Sequence, residues 1–121
     1  MKITVSVLMM VLMSVAVSAQ ELDANRCGNE FLQWKMNANS IRSNMYESIG
    51  RQAMGEGEGV RESAIEMYLK SCGYAARMVR PGGCYDITSK KVVFPSTVES
   101  DCAAFVQKVR DFQTSVTAPR N

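Results

Sequence analysis

The stretch YLKSCGYAARMVRPGGCYDI, residues 68–87, holds two of the chain's four cysteines on either side of a Pro-Gly-Gly break. Ile65, Tyr68, Leu69, Cys72, Ala75, Ala76 and Val79 recur at the steps of one helix face. Arg77 and Arg80 are expected in the last turn, where cations favour the negative end of the peptide dipoles. Pro81, Gly82 and Gly83 stop the helix, so Cys84 falls in the connection that follows. One cysteine therefore sits on a helix face and the other in a loop. That placement suits the ends of crosslinks better than a paired reactive dithiol.

Upstream, Cys27, Phe31, Trp34, Ala38, Ile41, Met45 and Ile49 form a second stripe of helical period. It predicts a long first helix from about Leu22 to Met54, with Lys35, Arg42 and Glu47 among its solvated residues. The GEGEG run, Gly55–Gly59, ends that helix as a linker, because glycine opposes helix by about 1 kcal/mol per residue. Without a preceding strand or a following Lys-Ser or Lys-Thr it is not a phosphate loop. Its two acids, Glu56 and Glu58, are too few for calcium.

Downstream, CYDITSKKVVFPS predicts a short β-hairpin or an ordered loop near residues 85–95, with Lys90 and Lys91 in a solvated turn. A third helix is expected from Ser96, with Glu99 completing a capping box. Val98, Cys102, Phe105, Val109, Phe112 and Val116 are its apolar stripe. The fold class is therefore all-α: a small bundle of three main helices stapled by disulfides.

The first residues, MKITVSVLMMVLMSVAVSAQE, read as a secretory signal peptide cleaved after Ala19. Lys2 is the positive start, Ile3–Val17 the apolar run and Val17-Ser18-Ala19 the small-residue exit. The run is shorter than the roughly 20 residues a membrane span needs, and no transmembrane segment is expected after cleavage. Residues 20–116 then form one helical domain and 117–121 a disordered tail. The mature chain has 102 residues and loses only the charge of Lys2, so its net charge is +1 where the full chain has +2. A chain so balanced offers no electrostatic footprint for nucleic acid.

Export makes the cysteines a disulfide framework. The chain has no histidine, which removes mixed Cys/His zinc sites, and no close Cys-x-x-Cys pair suggests a zinc or redox centre. In an up-down-up bundle, Cys72 lies about 12 Å from the end of its helix and Cys102 about 9 Å from the start of its own. The two are level, which favours Cys72–Cys102 and leaves Cys27 to reach Cys84. Cys27–Cys72 with Cys84–Cys102, and Cys27–Cys102 with Cys72–Cys84, stay open at this point.

The missing histidine also removes the usual general base at neutral pH. No catalytic residue, metal or cofactor is expected, and the acids are scattered over helix faces. Met36, Met54 and Met67 lie off the chosen stripes and leave soft apolar surface, which can mark a contact site. The leading expectation is a secreted, non-enzymatic interaction protein, of the effector, venom-component or signalling-ligand kind, that presents a helical surface to an extracellular protein partner. A carrier of a small apolar ligand between its helices is the second. A structural component of a matrix, coat or mineral layer is the third.

Overall fold

The computed structural model describes residues 25–117. The expected signal peptide, and the tail beyond Thr117, lie outside the described residues. Among the described residues three helices and one hairpin follow in chain order: α1 (Asn29–Ala53), α2 (Glu62–Met78), β1 (Cys84–Asp86), β2 (Lys91–Val93) and α3 (Pro95–Thr117). The helices pack as a bundle, and the hairpin closes the end where α1 begins, α2 stops and α3 begins. No helix among the described residues is long and apolar enough to cross a membrane.

The interior is built from the three stripes. Ala38, Met45 and Ile49 of α1 meet Ile65, Tyr68 and Ala75 of α2 and Val98, Phe105 and Val109 of α3, all buried. The Cys72–Cys102 disulfide lies within this core and joins α2 to α3, with the Cα atoms 6.5 Å apart. The Cys27–Cys84 disulfide joins the segment before α1 to β1 at a Cα separation of 5.0 Å. The pairs are those that the levels of the helix ends favour.

Cys27 is not on a helix face, and α1 starts later than its apolar spacing suggests. The Cys27 N–H donates to the Tyr85 carbonyl (3.1 Å), and the Tyr85 N–H to the Asn25 carbonyl (2.9 Å). Residues 25–27 therefore run beside β1 as a short parallel bridge, Arg26 opposite Tyr85. A backbone committed to a neighbouring strand cannot also make helix bonds. Gly28 then becomes the N-cap.

At its other end α1 closes on a Schellman motif. Gly55 has a φ of +78°, its N–H donates to Gln52, and the Glu56 N–H reaches back to the Arg51 carbonyl at 2.8 Å. Just after the GEGEG run the chain is pinned to α3: the Val60 N–H donates to Gln113 Oε1 at 2.6 Å.

Three boundary expectations are corrected. α2 ends at Met78, so Arg80 lies beyond the helix, where its guanidinium donates to Asn25 Oδ1 at 2.7 Å. α3 starts at Pro95, not Ser96, since proline suits a first helical position whose N–H has no partner anyway. Its start is closed by Thr97 Oγ1, which accepts the Phe94 N–H at 3.3 Å, in place of the Ser96–Glu99 box. The expected tail begins one residue too early, because Thr117 is still helical.

Side-chain burial also departs from the stripes at their edges. Ile41 and Leu69 are partly exposed and Phe112 is 48% exposed. At Phe112 the cause is its neighbour: Gln113 turns inward to accept the Val60 N–H, and the helix rotation that places Gln113 there turns Phe112 out.

Candidate functional site

Along α1 and α2 the residues facing each other are unequal in size. Met45 and Tyr68 are large and buried, whereas Ser48, Ser63, Ala64 and Ser71, with Gly59 in the connection before α2, are small. Small side chains at a helix–helix seam leave volume unfilled. An open groove of about 650 Å³ results, lined by Ile41, Met45, Val60, Ala64, Met67 and Tyr68 among its apolar members. Met45 and Tyr68 are its floor. Met67, 74% exposed, is its rim. Among the described residues Arg61 is the one charged member of the lining, and Asn44, Ser48, Ser63 and Ser71 add hydrogen-bonding edges. Ser71 is already engaged, its hydroxyl donating to the Tyr68 carbonyl at 2.7 Å and accepting the Trp34 indole N–H at 3.5 Å.

Behind the groove floor the Tyr68 hydroxyl accepts a hydrogen bond from Arg42 Nε at 2.6 Å. The Arg42 guanidinium stacks over the Tyr68 and Phe105 rings, 5.7 and 5.4 Å from their centres. Burial pushes the Tyr68 phenol up from its ordinary value; the bond and charge from Arg42 oppose this, and the Asp101 charge adds to it. Tyr68 is therefore a neutral, held group and not a reactive phenolate.

A second polar cluster fixes the hairpin to α1. Lys35 pairs with Asp86, and Asp86 also accepts the Ser89 hydroxyl (2.9 Å) and the Thr88 N–H (3.0 Å). Burial alone would raise the Asp86 carboxyl. The donors, Lys35 foremost, overcome it and hold the carboxyl below its usual range. With its donors in place the acid is spent on structure. Lys35 and Arg42, read from sequence as solvated, are both drawn into partly buried positions.

Cys27, Cys72, Cys84 and Cys102 are all in disulfides, so none offers a thiolate. Among the described residues no cluster of three metal-ligating side chains exists. The structure separates the two cystines, one in the core and one at the hairpin, and neither lines the groove. The groove itself had a partial signal in Met67, which lies off the α2 stripe; the small residues opposite it carry none until α1 and α2 are docked. Met36 and Met54 are exposed too, but away from the groove. Comparison of the chain with family models, with curated proteins and with solved structures gives no match.

Proposed function

We infer that the chain is an exported, non-enzymatic interaction protein whose α1–α2 groove receives an apolar helical or extended segment of an extracellular partner. The observation that carries the reading is the groove: a rigid, open, almost uncharged trough with a methionine rim on a disulfide-stapled bundle. Grooves of this form take the apolar face of an amphipathic segment, and methionine adapts to the surface it meets. The two disulfides and the lack of a membrane-crossing helix among the described residues are consistent with an extracellular setting.

The test uses the mature chain with a photoreactive methionine analogue at position 67, irradiated in fluid from the source tissue. One saturable adduct is expected. Ala64→Trp, which fills the groove, should abolish it, and Met36→Glu on another surface should leave it. An adduct that survives Ala64→Trp, or none at all, contradicts the reading.

A second reading rests on volume. About 650 Å³ is within the range of small-molecule sites, so the same groove suits a compact apolar ligand. A fluorescent apolar probe that binds with single-site stoichiometry, and is lost in Ala64→Trp, would favour the carrier. Failure to bind any such probe would remove it.

A further inference from the structure

We propose that the outer face of the hairpin is a docking surface for anionic phospholipid, separate from the groove and independent of the reading given to it. Strand register defines the face. Arg26 pairs with Tyr85, and Tyr85 pairs with Val92, so the three stand in one row across the small sheet. Phe94 continues the alternation from Val92. The two side chains lie side by side over Gly83, where an added Cβ would come within 3.0 Å of both. Val92 and Phe94 are 45% and 43% exposed, and Ile87 in the adjoining turn is 49% exposed. Aliphatic and aromatic groups are thus held outward on a rigid platform that Cys27–Cys84 ties down.

Among the described residues, the charges that the row, the turn at its end and the adjoining recess supply are cationic. Arg26 is in the row, Lys90 occupies the turn with a φ of +59°, and Arg80 lines a recess of about 350 Å³ beside Tyr85 and Val92. Among the described residues Arg80 is the only charged one in that recess. The hairpin's own acid, Asp86, is on the opposite side of the strand, buried and paired with Lys35. Among the described residues the face therefore presents cations and apolar groups with no exposed carboxylate of the hairpin to oppose them.

An anionic headgroup in the recess, held by Arg80, would bring Val92, Phe94 and Ile87 to the headgroup–acyl boundary. Surfaces that combine apolar groups with cations bind anionic bilayers in this way. An acidic protein segment fits less well. The strands are three residues long and give little edge for a peptide strand to extend, and the apolar groups project from the face and do not line a trough.

The test is co-sedimentation of the mature chain with vesicles of phosphatidylcholine alone and of phosphatidylcholine with about 30% phosphatidylserine. Binding is expected only to the second, and should weaken as salt rises. Removing two cations in Arg80→Gln/Lys90→Gln should reduce it by roughly thirty-fold. Val92→Ser/Phe94→Ser should reduce it at every salt concentration, with helical circular dichroism checking the fold. Lys90→Gln alone, at an exposed turn position, guards against misfolding of the other variants and should also reduce binding. Ala64→Trp, in the groove, should bind vesicles as the parent does.

Equal binding to both vesicle types, or undiminished binding by the charge variants, would overturn the proposal. So would capture of polyglutamate under conditions in which the vesicles are not bound.

Discussion

Lys35 of α1 and Asp86 of β1, 51 residues apart in the chain, form an ion pair that holds the hairpin against the first helix. The Asp86 side chain is almost wholly buried and Lys35 about one-quarter exposed, so the pair is only partly screened. Asp86→Asn should destabilise the fold by about 2–3 kcal/mol, since a charge-assisted bond is lost and Lys35 is left without its partner. Urea unfolding of the variant and the parent measures this directly.

The same pair sets an acid limit. The Asp86 carboxyl is held below its ordinary value in the fold, so its contribution is complete above that value and fades as pH falls from it toward the folded one. Stability of the parent should therefore drop below about pH 4, and Asp86→Asn should flatten that part of the profile. Thermal melts across the acid range would show it.

Tyr68 sets the opposite limit. Burial raises its phenol, so its contribution is complete below the ordinary tyrosine value and is lost as pH rises through the folded one. Tyr68→Phe should cost about 1 kcal/mol at neutral pH, from the lost Arg42 bond, and should reduce the alkaline sensitivity above about pH 10. Melting curves of both proteins at neutral and alkaline pH test the sign.

Glycines separate turn from helix. Gly59 has a φ of +83°, and a Cβ there would collide with Gln52 and come within 2.6 Å of Gln113 Oε1. Gly59→Ala should cost about 1–3 kcal/mol. Gly50 is within α1 and a Cβ there meets nothing within 4 Å, so Gly50→Ala should stabilise by about 0.5–1 kcal/mol. Denaturant midpoints that move in opposite directions are the expected result.

Much of the bundle was legible because the apolar positions repeat at the helical step, and burying such a face is what brings helices together. Val98, Cys102, Phe105 and Val109 are the clearest case, all buried on one face of α3. Cys27 misled because its spacing from Phe31 fits a helix, while its backbone bonds depend on Tyr85, which lies far along the chain. Phe112 misled because Gln113 gains a partner only once the GEGEG turn has folded onto α3. Lys35 and Arg42 looked solvated for the same reason: Asp86 and Tyr68 reach them only through tertiary packing. Periodicity records which face is buried, but not which polar group waits inside it. The groove was least legible, because an unfilled seam belongs to two helices and is written in neither.

The disulfides differ in access. Cys72 and Cys102 are fully buried, whereas Cys27 is partly exposed at the hairpin end. Mild reductant should open Cys27–Cys84 first, freeing residues 25–27 from β1 while the helices stay associated. Timed alkylation with mass spectrometry would give the order, and earlier labelling of Cys72 or Cys102 would contradict it.

Peptide mapping of the non-reduced protein bears most directly on how the bundle is stapled: one crosslink ties α2 to α3 within the core and the other ties the segment before α1 to the hairpin. One linked pair containing Cys27 and Cys84, a second containing Cys72 and Cys102, and no alkylatable thiol before reduction are expected. A peptide joining Cys72 to Cys84, or a free thiol at any of the four positions, would contradict this pairing.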